Sequence, residues 1–460
     1  MNGRFYVTTP IYYVNDVPHI GHAYTTIAAD VAARYHRLRG DRVFFLTGTD
    51  EHGQKILRAA EERGLSAQAH VDAIVPTWKE LWTRLQISND DFIRTTEERH
   101  TKQVQEFWRR LHDAGDVYLD TYEGPYCVAC EDFYTPEQLV DGKCPVHDRP
   151  VELLKEENYF FRLSKYKDWL LDEYYARTPC PIQPQARLNE IANFAREIRD
   201  VSISRSTVSW GIPLPWDSKH VIYVWLDALL NYITALGYPD GERFATFWPG
   251  VNFVGKDILR FHGVIWPAML HAAGIDPPET VFAHGWLLVG GEKMSKTKLT
   301  GIHPDQIIST FGVDGFRYYF LREISFGQDG SFSWESLAAR YNAELANGIG
   351  NLAARVLALI ESNFGGAVPD PGPRELDGER EVRATAERAI DAYQDALERF
   401  AFHEALEAVD SIVRKANWYL VETAPWKLAK EPGNEARVGA ILYAAAETLR
   451  VLAVLLSPFI

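Results

Sequence analysis

"RFYVTTPIYYVNDVPHIGHAYTTIAADVAARYHRLRGDRVFFLTGTDEHG", residues 4–53, decides how the chain folds. Its first part, RFYVTTPIYYV, is β-branched and aromatic and reads as a strand ending at the Asn15-Asp16 turn signal. TTIAADVAARYHRLRG then has helical periodicity and a glycine stop at Gly40. RVFFLTGTDEHG is a buried-strand run that ends in a polar cluster. Strand, helix, strand is a βαβ unit, which implies a parallel sheet with ligands at the strands' carboxyl ends.

Further along, HVIYVWLDALL, VNFVGKDILRFHG and ETVFAHGWLLVGG repeat the same texture about 170 residues later. The fold expected is therefore α/β: a split, Rossmann-like doubly wound parallel sheet, with halves at 1–115 and 216–290. Residues 116–215 form the insertion between the halves, and 291–335 a loop region after the sheet. From residue 336 the pattern turns helical, with Leu345, Ile349, Leu352, Val356 and Leu359 on one apolar face. After the linker GGAVPDPGPRELDGE come two more long amphipathic stretches, so 336–460 reads as a C-terminal all-α helical bundle. The chain stops inside the apolar run RVLAVLLSPFI, which reads as a truncated end.

With 460 residues, 46% hydrophobic and 24% charged, the composition is that of a folded protein of two to four domains. No continuous apolar run has the length of a membrane span and the start lacks a signal peptide's segments, so a cytoplasmic protein with no membrane partner is expected. A net charge of −15 weighs against broad nucleic-acid binding and leaves room for a local basic patch. Three of the four cysteines fall within eighteen residues, a pattern of metal binding rather than of disulfides.

Those three lie in YCVACEDFYTPEQLVDGKCPVHDRP, residues 126–150. Cys127 and Cys130, then Cys144 and His147, make two short ligand pairs suited to one tetrahedral Zn2+ held by three thiolates and an imidazole. Four protein ligands leave no open position, so the zinc would be structural. Cys180 stands alone in ARTPCPIQP and reads as a packing cysteine.

His19 and His22 flank a glycine where the helix begins. Pro18 suits a first helical turn, and Asn15 or Asp16 can cap nearby donors. At a spacing of three the imidazoles share a face. On their own they fit a packing pair, a metal site or a phosphate seat, the last because a helix N-terminus offers free N–H groups and Gly21 permits close approach. GGEKMSKTKLTG, residues 290–301, adds Lys293, Ser295 and Lys296 in a glycine-flanked loop after the last strand, able to close over a polyphosphate.

HIGH at 19–22 and KMSKT at 293–297 together resemble the two signatures of class I aminoacyl-tRNA synthetases. TTPIYYVND, GTDEHG, WGIPLPW, YVWLDALLNY, FVGKDILRFH and APWKLAK narrow the resemblance to the methionyl-tRNA synthetase family, of the bacterial type with a single zinc knuckle. It covers essentially the whole chain. Thr297 stands where that family usually has serine, and the chain ends short of the family's last helices. A leucine or valine synthetase would need a larger editing insertion, and a noncatalytic relative would not need both signatures intact.

The resemblance implies activation of L-methionine by ATP and Mg2+, then transfer to the 3′ end of tRNA(Met), initiator tRNA included. His19, Gly21, His22, Lys293, Ser295 and Lys296 would hold the phosphates, Asp257 the ribose, and the backbone at Leu287 the adenine. Ile11, Tyr13, Trp225, Ala228, Leu229, Tyr232, Ile258 and His262 would line the methionine pocket, with Asp50 taking the ammonium group and Arg205 supporting that carboxylate. Asn351, Arg355 and Trp426 would read the anticodon within a helical anticodon-binding domain. It implies one structural zinc and no obligate protein partner.

Overall fold

The computed structural model describes residues 3–15, 17–127, 132–134, 136–145, 148–289, 292–293, 302–371 and 376–460. Cys130, His147, Ser295, Lys296 and Thr297 lie outside the described residues. The chain forms two compact units: Met1–Pro18 with Arg39–His284, and His19–Leu38 with Gly285–Ile460.

The first unit is built on a wholly parallel sheet. Its order is Asp91–Arg94, Arg42–Asp50, Arg4–Thr8, Val251–Gly255, Thr280–His284 and Ile182–Gln183. Tyr12–Tyr13 continues the line of Arg4–Thr8 along the strand Arg42–Asp50, with Tyr13 opposite Asp50. The expected single strand over RFYVTTPIYYV is thus two pieces. Pro10 has no N–H to give the ladder, so pairing lapses between Thr9 and Tyr12. Gly48 sits where a Cβ would lie 2.1 Å from the Ile93 carbonyl oxygen and 3.0 Å from Ile11, which is why this central strand carries a glycine there.

The strand order reverses around Arg4–Thr8, whose neighbours are Arg42–Asp50 on one side and Val251–Gly255 on the other. Such a switch point opens a crevice at the strands' carboxyl ends. The segment between the two halves contributes an antiparallel sheet, Asp132–Phe133, Val117–Cys127, Glu152–Phe161 and Val201–Ser202 in that order. It also lends Ile182–Gln183 to the edge of the parallel sheet.

The second unit is helical. Helix Ile20–Leu38 is apolar almost all round and correspondingly buried, packing on helix Pro304–Glu323, with Tyr24 against Phe320 and Phe326. Three strands make a small sheet here, Leu287–Val289 lying between Glu292–Lys293 and Gly330–Phe332. Helices Asp377–Glu398, Phe402–Thr423 and Glu435–Leu456 pack on one another, and Asn351–Phe364 packs on the last. Of the expected apolar face, Leu352 and Val356 are fully buried and Leu345, Ile349 and Leu359 half-buried, with Ile360 joining the buried stripe. Tyr341–Gly350, which carries Leu345 and Ile349, is π-helical and holds no fully buried residue. By length and composition two helices, Trp334–Phe364 and Glu435–Leu456, would suffice to cross a membrane, a property no single unbroken apolar run revealed. Val438, Ile441, Leu442 and Leu452 of the second are buried against the bundle.

Candidate active site

Of the two residues expected to cap nearby donors, Asp16 lies outside the described residues. Helical residues begin at Ile20, so Pro18 precedes the first turn, and His19 itself occupies the capping position. Its carbonyl accepts the N–H groups of His22 and Ala23 at 3.0 and 3.2 Å. Its Nδ1 accepts from the Gly21 N–H at 3.1 Å, while His22 Nδ1 reaches back to accept from the His19 N–H at 3.2 Å. This is the reciprocal logic of a capping box, built from two imidazoles. The rings stack with centroids 3.7 Å apart. Because both Nδ1 atoms accept, the proton of each neutral ring belongs on Nε2. In the same unit Lys293 is opposite Leu288 in an antiparallel pair, and Leu287 is buried opposite Gly330.

The residues expected around methionine all belong to the first unit and several touch. The Tyr232 hydroxyl donates to His262 Nε2 at 2.7 Å, and His262 Nδ1–H donates to the Ile258 carbonyl at 3.0 Å. Tyr6 in turn donates to the Tyr232 carbonyl at 2.6 Å. Burial pushes His262 down to about 4, so its ring is neutral at physiological pH, and it raises the Tyr232 phenol. Leu229 and Tyr232 belong to the unit's large apolar core, against which Ile11, Tyr13, Trp225 and Ile258 pack half-buried, and Ala228 is buried in the helix Val224–Ala228. The group is largely apolar, with one neutral hydrogen-bonding pair.

Asp50 ends its strand, buried, with its carbonyl accepting from the Val14 N–H at 3.2 Å. The residue after it is clamped from every side. Glu51 accepts from Thr49, Thr96 and the Arg94 guanidinium at 2.6 to 2.9 Å, and its carbonyl accepts from Trp210 Nε1 at 2.6 Å. Arg205 is buried; its guanidinium donates to Ser202 Oγ and the Ser204 carbonyl and lies over the Tyr223 ring at 4.1 Å. Asp257 is exposed, in the short turn Lys256–Ile258.

Elsewhere, Arg355 lies over the Trp426 ring at 5.1 Å, and exposed Asn351 opens the helix that carries Arg355. Cys127 and Cys144, seventeen positions apart, are both buried in one cluster with Tyr134. Cys144 Sγ stands 3.7 Å from the Tyr134 hydroxyl. Among the described residues no group of three or more His, Cys, Asp or Glu is gathered for a metal, Cys130 and His147 being outside them. Cys180 is half-buried and packs against the core, its thiol pushed up by burial.

Two features escaped the sequence reading. Phe261 stacks on Trp225 at 4.6 Å, and Asp227 lies fully buried between two histidines. An aspartate inside the apolar run VWLDALL was the available signal, since a buried carboxylate needs donors.

The family described as class I tRNA synthetases (M) matches residues 5–153 and 134–357, and the anticodon binding domain of methionyl tRNA ligase matches 368–460. The methionine–tRNA ligase of Streptomyces coelicolor is 54% identical over 99% of this chain and 87% of its own length. The chain belongs to the methionyl-tRNA synthetase family. Another relative in it, the methionine–tRNA ligase of Bacillus subtilis, is 47% identical over 100% of this chain and 71% of its own. Among solved structures in the family, Mycobacterium tuberculosis methionyl-tRNA synthetase in complex with methionyl-adenylate aligns with a TM-score of 0.96 at 43% identity, covering 99% of this chain and 91% of that one. The apo form of the same enzyme aligns at 0.88 and 40% identity, over 100% and 90%.

One expectation follows directly from the His262 environment. An unfolded histidine titrates near 6.5, whereas the folded one titrates near 4. Above pH 6.5 both states are neutral and nothing is lost. As pH falls from 6.5 towards 4 only the unfolded chain takes up the proton, so His262 removes up to about 3 kcal/mol of stability over that window. Urea midpoints at pH 7 and pH 5 check this: the wild type should lose about 2 kcal/mol more between them than His262→Gln.

Proposed function

We infer that this chain is an ATP-dependent methionine–tRNA ligase. Methionine's carboxylate attacks the α-phosphate of ATP, giving methionyl-adenylate and pyrophosphate, and the 3′ end of tRNA(Met) then takes the methionyl group. The observation that carries this reading is 54% identity to a methionine–tRNA ligase along 99% of the chain. The substrate brings its own nucleophile, so the protein's work is positioning and charge stabilisation.

In this reading His19 and His22 donate Nε2–H to the phosphates as the α-phosphorus becomes five-coordinate. Gly21 lets the backbone approach, and Lys293, Ser295 and Lys296 grip the pyrophosphate side. Mg2+ accompanies ATP as part of the substrate. Asp257 takes the ribose and the backbone at Leu287 the adenine. Asp50 holds the ammonium group, with Arg205 fixing the wall beside it. Ile11, Tyr13, Trp225, Ala228, Leu229 and Ile258 enclose the side chain. The Tyr232–His262 pair, uncharged at both atoms, meets the thioether, a partner that a charged pair would have to desolvate for.

The second unit's helices then serve the tRNA. Arg355 and Trp426, already paired, offer a guanidinium and an indole to unpaired anticodon bases, with Asn351 for base edges, in elongator and initiator tRNA alike. We assign residues 1–115 and 216–290 to catalysis, 116–215 to the connective insertion, 291–335 to the stem contact and 336–460 to the anticodon, in a cytoplasmic enzyme. Charging should require a CAU anticodon, and Trp426→Ala should lower tRNA kcat/KM at least tenfold while leaving adenylate formation within twofold of wild type.

The insertion's thiols also fit a zinc ion. Two buried cysteines drawn from opposite ends of the segment into one cluster match the soft donors that zinc takes, and Cys130 and His147 would complete the four. Bound zinc would cross-link a segment with little apolar core. Metal analysis should return about one zinc per chain, lost on Cys144→Ala; a metal-free folded wild type would refute the assignment.

A further inference from the structure

Asp227 is fully buried in an otherwise apolar helix, Val224–Ala228. Its two oxygens are shared between two imidazoles: Oδ2 accepts from His52 Nδ1 at 2.7 Å, and Oδ1 from His100 Nε2 at 2.7 Å. The other nitrogen of His100 lies 2.7 Å from Thr234 Oγ1. Burial alone would raise the Asp227 pKa, yet the paired imidazoles hold the carboxyl below its usual range, so the buried centre is ionised. None of these four side chains has a part in the chemistry proposed above.

Their places in the chain are informative. His52 is two residues after Asp50, in a loop whose Glu51 is clamped to Arg94 and whose Gly53 N–H donates to the Trp210 carbonyl at 3.0 Å. Asp227 lies between Trp225 and Ala228. Thr234 is two residues after Tyr232, in the helix Asn231–Thr234. The network therefore ties the strand end that carries Asp50 to both short helices that carry the apolar end of the pocket. The hydrophobic effect is non-directional, whereas a buried carboxylate with two short imidazole bonds has one arrangement.

We infer that His52, Asp227 and His100 are positioning residues that fix the span between the ammonium anchor and the thioether end of the pocket, and thereby select side-chain length. This rests on the reading of Asp50 and the Tyr232 pocket as the methionine site. One methylene in a well-formed apolar pocket is discriminated by about 10–200-fold, a margin that a loosened frame forfeits.

The test is ATP–pyrophosphate exchange by the full chain with methionine and with ethionine, one methylene longer. His52→Ala should raise the methionine KM at least tenfold and leave the ATP KM within twofold. The preference for methionine over ethionine, as a ratio of kcat/KM, should fall at least tenfold. His52→Asn, whose amide N–H can stand where Nδ1–H stands, should recover both to within threefold, and Asp227→Asn should behave like His52→Ala. An unchanged preference in folded His52→Ala, an equal rise in both KM values, or no recovery in His52→Asn would overturn the inference. If Asp227→Asn does not fold, the His52 pair decides alone. Asp50→Ala run beside them separates the two layers. Retained methionine KM there refutes the pocket itself, whereas its loss with an unchanged His52→Ala preference refutes only the positioning role.

Discussion

Replacement of His22 by alanine should slow methionine-dependent ATP–pyrophosphate exchange by about 10²–10³-fold, the usual cost of removing one preorganised donor from a site of developing charge. Two functions are lost at once. The ring's Nε2–H no longer meets phosphate, and its Nδ1 no longer receives the His19 N–H, so the neighbouring donor loses its anchor. The cap itself is worth about 1 kcal/mol, too little to account for such a rate. His22→Gln separates the two effects. Glutamine is a natural partner at the third helical position of a capping box, so it should restore thermal stability while recovering only part of the rate. The methionine KM should stay within twofold in both variants. An alanine variant slowed no more than fivefold would remove His22 from the reacting centre.

The largest effect on stability should come from Arg317. Its guanidinium is fully buried in the second unit, donating to Asp30 at 2.7 Å and to the carbonyls of Phe459 and Pro458 at 2.8 and 3.1 Å. Burial lowers its pKa and Asp30 opposes that shift. Asp30 is fully buried too, and shares a second partner, Arg34, at 2.8 Å. Arg317→Met would leave a carboxylate with one cation and strand two buried carbonyls. Breaking a buried pair from one side costs about 3–5 kcal/mol, far more than the pair is worth against apolar substitutes. The urea midpoint of the second unit should fall accordingly. Adding Asp30→Asn should return at least half of the loss, because a buried negative charge that has lost one of its cations, rather than the missing contact, carries most of the cost. The pair also fixes the helix Ile20–Leu38 to the helix Pro304–Glu323, so adenylation should fall with stability in Arg317→Met.

How much was legible beforehand follows from where the determining forces were local. The βαβ unit was readable because its apolar runs have the right length and period, and the parallel sheet followed from it. Pro10 was visible in the sequence, yet its interruption of the first strand was overlooked because aromatic and β-branched neighbours on both sides favoured one strand. Ile182–Gln183 was not readable: two residues between Pro181 and Pro184 give no pattern, and only the neighbouring strand Thr280–His284 makes them one. Ile360 is the fully buried residue where Leu359 was expected, a one-residue difference that the run RVLALI does not decide. Among site residues, His19 was seen as a ligand but not as a cap, since imidazole is rare there and Asn15 and Asp16 looked better suited. Asp227 was missed for a related reason. Its meaning lies in His52 and His100, 175 and 127 positions away, which no local pattern connects.

The central claim is that one pocket selects methionine and one pair of signatures activates it. ATP–pyrophosphate exchange by the full chain, run separately with each of the twenty amino acids, tests it most directly. Exchange should depend on methionine and fall below one per cent of that rate with each of the other nineteen. Exchange driven by a different amino acid, or none with methionine, would contradict it.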